Sequence, residues 1–513
     1  MDLDQVSIYS KLVKLSQKNI NLKELLNPQR IKESLISNGP LTYSFAASLV
    51  DKEILDALQK LSIEQKVIEK HKDLLAGKIM NPTENRKVLH HQTRSKSDRG
   101  FYGREQEKLK LFADQVHAGK ITGLTNKPFT HLVQIGIGGS DLGPRALYLA
   151  LKRYVKEKKG ELFLEADFIS NVDPDDANEI LNKIDPETTL FIIVSKSGTT
   201  IETLTNQEFA RQKLLKAGIN EQDLSKHFIA ITAKGSPMDD TSKYLASFYI
   251  DDYIGGRYSS TSAVGGALLS LALGPDIFEE VLKGASKLDE AAKEDNIFNN
   301  MSLMSALIAI WERNFLGMPQ KAIIPYAQAL ERFTAHLQQL DCESNGKSVN
   351  INGKPVNYET GPVVFGEPGT NSQHSFFQKL HQGTDVIPIQ FIGFKDAQIS
   401  SDLDFEGSTS QEKLNANLVA QIIALAEGKD DPDQNKFFSG NRPTSLVSAS
   451  RLTPEVLGAL LAFYENTVMF QGFLWNINSF DQEGVQLGKL LAKQVLSASA
   501  GLNLKSYLDV LSE

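Results

Sequence analysis

The run Leu190-Phe191-Ile192-Ile193-Val194 passes straight into Ser195-Lys196-Ser197-Gly198-Thr199-Thr200 and then Ile201-Glu202-Thr203, and it constrains the fold more than any other stretch of the 513 residues. Five consecutive apolar, mostly β-branched or aromatic residues, bounded by Asp185-Pro186 upstream and hydroxyl residues downstream, read as a strand buried on both faces. That is the environment of a parallel sheet. The loop offers four hydroxyls, the Lys196 ammonium and a glycine beside the free amides of a helix start, a set that can cradle a phosphate monoester. The same residue types also describe a Ser/Thr-rich turn that merely caps a helix. The Walker spacing is absent, so nucleotide hydrolysis has no support here.

From about residue 130 strands and helices alternate, the mark of parallel βαβ units. His131-Leu132-Val133-Gln134-Ile135 runs into Gly136-Ile137-Gly138-Gly139-Ser140-Asp141, whose glycines admit close backbone approach and whose Ser140 or Asp141 can cap the next helix. A dinucleotide fingerprint needs glycine where Asp141 stands. Further strands at residues 163–169 and 228–232 complete one doubly wound unit, with its ligand expected at the carboxyl ends of the strands. The unit closes with Asp252-Tyr253-Ile254-Gly255-Gly256-Arg257-Tyr258-Ser259, which sets a guanidinium beside hydroxyls. Arg257 there is either a cation for a developing oxyanion or an ordinary surface arginine.

A second α/β unit opens at Lys321-Ala322-Ile323-Ile324-Pro325. The next helix carries an apolar stripe of Leu330, Phe333, Leu337 and Leu340, with Gln339 and Glu343 one turn apart on another face and a stop at Ser344-Asn345-Gly346. His374 follows a Pro368-Gly369 turn and precedes Phe376-Phe377, and Lys489 lies two turns into a helix that begins after Asp481. The first 120 residues read as helical, with almost no strand signal and a polar, basic stretch at residues 94–99. Adjacent His90 and His91 point about 100° apart with no third ligand spaced to help, so no metal site is expected. No internal repeat is visible.

A net charge of -8 without a dense Lys/Arg block argues against nucleic acid or an anionic membrane as partner, so an anionic ligand needs a local basic site. Cys342 is the one cysteine, which forbids an intrachain disulfide and points to a reducing compartment. No secretory signal and no apolar run of about 18 residues is present. A cytoplasmic enzyme or binding protein is expected.

Taken together these stretches resemble the phosphoglucose isomerase family. Residues 252–259 match its signature acidic-x-apolar-Gly-Gly-Arg-aromatic-Ser, and Phe480-Asp481-Gln482-Glu483-Gly484-Val485 through Lys489 match aromatic-Asp-Gln-x-Gly-Val-x-x-x-Lys. The likeness also covers residues 81–94, 135–144, 195–203, 338–347 and 367–383, almost the whole chain. It implies an α/β fold of two sugar-isomerase-type αβα sandwich domains with parallel sheets. A helical N-terminal segment (1–120) would pack on the larger domain, followed by a smaller domain (121–285) and a larger one with C-terminal helices (286–513). It further implies a cofactor-free, metal-free isomerase interconverting glucose 6-phosphate and fructose 6-phosphate through a cis-enediolate, in glycolysis and gluconeogenesis. The enzyme would be a homodimer with shared active sites.

By the same resemblance Ser195, Lys196, Ser197 and Thr200 bind the phosphate, with Gly139, Ser140 and Gln482 nearby, and Gln339 contacts the substrate. Glu343 is the base, Arg257 the cation facing the enediolate, and His374 with Lys489 the pair that opens the ring. Two departures stand out. Ser197-Gly198 replaces the Thr-Phe of some members, and Gln486 replaces a glutamate near Lys489. The alternatives are a non-catalytic sugar-phosphate-binding regulatory module, which needs only the cradle, and an isomerase that also accepts mannose 6-phosphate.

Overall fold

The structure, a computed structural model, describes residues 1–97, 99–497 and 499–512. Its first sheet has five strands in the order Glu165–Ile169, His131–Ile135, Thr189–Val194, Phe228–Thr232 and Ala246–Tyr249, every neighbouring pair parallel. All six residues of Thr189–Val194 are buried. Leu190, Ile192 and Val194 enter one hydrophobic core and Phe191 and Ile193 another, because successive side chains leave opposite faces of a covered sheet. In chain order the strands run 2-1-3-4-5. The winding therefore reverses between His131–Ile135 and Thr189–Val194, and the loops leaving these two strands border a crevice at their carboxyl ends.

The second sheet has six strands in the order Leu35–Asn38, Leu41–Ser44, Thr444–Ala449, Ile389–Phe394, Gln320–Pro325 and Val363–Phe365. The last four are parallel and, read from the far edge, repeat the 2-1-3-4 winding of the first sheet. This likeness has no counterpart in the sequence. The residues that directly follow the two strands at the second reversal, Tyr326-Ala327-Gln328 and Lys395-Asp396-Ala397, include neither glycine nor serine nor threonine.

The N-terminal segment departs from the helical expectation. Leu35–Asn38 and Leu41–Ser44 form a hairpin that pairs antiparallel with Thr444–Ala449 and extends the second sheet. Strands of four residues are too short for a convincing period of two, and the two-residue turn between them is Gly39-Pro40, with Gly39 at φ +58°. The basic stretch also differs at its first residue. Arg94 is fully buried, with Nε and Nη2 donating to Asp289 at 2.6 and 3.0 Å and Nη1 donating to Glu465. A buried guanidinium is tolerated when its charge is paired in this way. Helix Pro454–Trp475, buried along nearly its whole length, carries Glu465 through the centre of the molecule. Among the described residues no helix is long and apolar enough to cross a membrane.

Helix Phe333–Asn345 packs with Phe333, Leu337 and Leu340 in the core, as the stripe predicts, while Leu330 of that stripe is buried on the preceding turn Gln328–Leu330 rather than on the helix. Its His336 is buried too, with neither ring nitrogen hydrogen-bonded among the described residues, and desolvation pushes its pKa down to about 4. The folded value lies below the unfolded value near 6.5, so the unfolded chain takes up the proton first as pH falls. Between about pH 6.5 and 4 His336 therefore removes stability on acidification, by roughly 1.4 kcal/mol per pH unit. His336→Leu should gain on the wild type by that slope when urea midpoints are compared across the window. A difference independent of pH would mean that the imidazole is not held neutral.

Candidate active site

The loop after Thr189–Val194 is internally braced. Ser195 Oγ lies 3.0 Å from Thr200 Oγ1 and accepts from the Gly198 amide at 3.1 Å, while Ser197 Oγ accepts from the Thr199 amide at 3.2 Å. Gly198 sits at φ +67°, a conformation that side-chain-bearing residues rarely adopt. Thr200 occupies the N-cap of helix Ile201–Lys216, yet its side chain makes no capping bond there. This distinguishes the loop from a simple capped turn and leaves the first helical amides without a side-chain cap. Lys196 Nζ donates to the Ile254 carbonyl at 3.2 Å, tying the cradle to the segment that carries Arg257. Burial pushes this ammonium below the usual lysine range, Asp252 opposing and Arg86 adding to the effect.

The turn Gly138–Ser140 leaves the neighbouring strand and packs on that same segment. A Cβ at Gly139 would come within 2.1 Å of the Gly256 carbonyl carbon, so glycine is required for the approach. Gln134 Nε2 holds the turn by donating to the Ser140 carbonyl at 2.7 Å. Across from it, on helix Phe333–Asn345, Gln339 Nε2 donates to Glu343 Oε2 at 2.9 Å. Glu343 Oε1 faces Arg257 Nη1 at 3.3 Å, the arginine side chain wholly buried and the carboxylate one-fifth exposed. Arg257 Nη2 donates to the carbonyls of Ser479 at 2.6 Å and Asp481 at 3.0 Å, which places the backbone preceding Gln482 beside the guanidinium.

One chain thus brings together Gly139, Ser140, Arg257, Gln339 and Glu343, with the main chain at Gln482 adjoining and the cradle joined through Lys196. His374 and Lys489 are not part of the cluster. His374 is exposed on the turn Asn371–His374, and Lys489 is exposed on helix Gln486–Leu496, which has no buried residue. Neither makes a hydrogen bond or ion pair with Glu343 or Arg257 among the described residues.

The structure gives supporting contacts to residues that the motifs left without a role. The Asp481 carboxylate accepts from Lys347 Nζ at 2.7 Å, Thr83 Oγ1 at 2.7 Å and Asn478 Nδ2 at 3.0 Å, fixing the carbonyls that Arg257 uses. Thr83 and Asp481 lie 398 positions apart, and no spacing rule reaches that far. His90 stacks on Tyr258 with ring centroids 4.7 Å apart, so it supports the arginine segment. A carboxylate set between an amide donor and a buried cation, next to a phosphate cradle, can pass a proton between adjacent carbons of a phosphorylated sugar. Charge developing on the sugar oxygens would meet a fixed guanidinium.

Residues 44–509 match a family model described as phosphoglucose isomerase. The chain is 54% identical over 528 aligned positions to the glucose-6-phosphate isomerase of Treponema denticola, covering 99% of each protein. It is 46% identical to the glucose-6-phosphate isomerase of Chlamydia pneumoniae, covering 100% of this chain and 97% of that one. A crystal structure of a glucose-6-phosphate isomerase from Chlamydia trachomatis superposes with a TM-score of 0.93 at 42% identity, covering 100% of this chain and 99% of that one.

Proposed function

The chain belongs to the phosphoglucose isomerase family and interconverts glucose 6-phosphate and fructose 6-phosphate, and we propose that Glu343 and Arg257 carry the proton transfer. The observation that supports these roles is the Glu343 carboxylate held between Gln339 Nε2 and Arg257 Nη1 beside the crevice of the first sheet. On the open-chain aldose the carboxylate takes the proton from C2. The electron pair forms the C1–C2 double bond, and the charge that develops on O1 faces Nη1. The Glu343 carboxyl then returns the proton to C1 while the O2 proton passes to O1, which leaves the ketose. Ser195, Lys196, Ser197 and Thr200 hold the phosphate, with Gly139, Ser140 and Gln482 at its margin, and Gln339 touches the sugar as well as orienting the base. His374 and Lys489 open the ring. No cofactor or metal enters this scheme.

The exposure of His374 and Lys489 supports a homodimer in which sites are shared. Leu487, Leu490 and Leu496 on the helix of Lys489 are exposed as well, and leucines spaced at threes and sixes suit a surface covered by a second copy. A cytoplasmic location and a place in glycolysis and gluconeogenesis suit this activity. The test is steady-state conversion of fructose 6-phosphate, coupled to oxidation of the product, with wild type and Lys196→Ala side by side. Loss of a charge-assisted phosphate contact should raise KM by about tenfold or more with a smaller change in kcat. An unchanged KM would remove Lys196 from the cradle.

A further inference from the structure

The guanidinium of Arg257 is planar, so fixing two of its nitrogens fixes where the third points. Nη2 is tied to the carbonyls of Ser479 and Asp481, and Nε donates to Ser344 Oγ at 2.7 Å. Among the described residues Nη1 makes no hydrogen bond, and it is left facing Glu343. Two of the three ties are backbone carbonyls, and Ser344 supplies the side-chain tie. It follows Glu343 on the same helix, is 0% exposed, and its hydroxyl also lies 3.0 Å from Tyr258 Oη. Tyr258 is in turn the residue after Arg257 and is backed by the His90 ring. One hydroxyl therefore joins the last turn of the base's helix to the segment carrying the cation.

We propose that Ser344 is a positioning residue for the isomerisation, its hydroxyl fixing the plane of the Arg257 guanidinium so that Nη1 meets the charge developing on the sugar. The inference rests on the role given to Arg257 above. A donor aimed before the reaction begins stabilises the transition state without reorganising, whereas one free to rotate must be ordered during the chemical step. The effect therefore belongs in kcat, with sugar-phosphate binding left to the cradle.

Four proteins separate positioning from general structure: wild type, Ser344→Ala, Arg257→Lys and the double variant, each assayed for kcat and KM with fructose 6-phosphate. Ser344→Ala should lower kcat about tenfold with KM within about twofold of wild type. Lysine has no Nε–H and no plane to orient, so adding Ser344→Ala to Arg257→Lys should change kcat by less than about twofold. The same loss in both backgrounds, or undiminished kcat in Ser344→Ala, overturns the proposal. Wild-type turnover in Arg257→Lys would instead overturn the role of Arg257 itself. Should Ser344→Ala not fold, Ser344→Cys keeps a small side chain with a weaker acceptor. Its kcat should fall at unchanged KM, and a wild-type kcat again overturns the proposal.

Discussion

Glu343→Gln is expected to lower turnover by about 10²-fold or more while sugar-phosphate binding persists. The amide keeps the size and planarity of the carboxylate but has no basic oxygen that can hold the C2 proton. The surroundings can absorb the change. In the wild type Gln339 Nε2 donates to Oε2 and Arg257 Nη1 faces Oε1, while Gln339 Oε1 is buried without a hydrogen bond. A flip of the Gln339 amide would offer that oxygen to the new NH2 group, leaving the carbonyl of the substituted side chain toward Arg257. Fold and cradle should therefore survive, and the loss should sit in kcat. Two measurements check this: kcat with fructose 6-phosphate, and exchange of the C2 hydrogen of glucose 6-phosphate with deuterated solvent, which should fall with turnover. Near-normal values of either would assign the base elsewhere.

Much of this site was legible because its parts are local. The strand Thr189–Val194 announces itself through the five apolar residues Leu190 to Val194, and Phe333, Leu337 and Leu340 set the buried face of a helix that presents Gln339 and Glu343 on another. The positions of the glycine turn and the cradle at adjacent strand ends follow from the alternation of strands and helices together with the rule for switch points. What the sequence withheld is long-range pairing. Arg94 reads as the start of a basic surface stretch because its partners Asp289 and Glu465 lie 195 and 371 positions away. Ser344 reads as part of a helix stop, since nothing local marks a hydroxyl that will meet a guanidinium 87 positions upstream. The hairpin Leu35–Asn38 and Leu41–Ser44 is a different case. Its Gly39-Pro40 turn is a local signal, but the four-residue strands on either side of it are too short to show a period of two. The matching winding of the two sheets is a property of strand order, which sequence periodicity does not encode.

Mixed refolding of His374→Ala and Glu343→Gln should return about a quarter of wild-type activity from two nearly inactive proteins. The expectation rests on the proposed dimer with shared sites. Within one chain His374 is exposed on its turn and makes no hydrogen bond or ion pair with Glu343 among the described residues, so in the proposed shared site it reaches Glu343 from a second copy. In a dimer with two-fold symmetry, each site then takes Glu343 from one subunit and His374 from its partner. A hybrid of one variant with the other concentrates both defects in one site and leaves the second intact. Random reassortment of equal amounts makes about half of the dimers hybrid, each with one working site of two, which gives the quarter. The substrate should be cyclic glucose 6-phosphate, so that ring opening is required for turnover. A tag on one variant isolates the hybrid and shows that exchange took place. If the purified hybrid is no more active than the two refolded parents, His374 acts within its own subunit or not at all, and the shared-site arrangement fails.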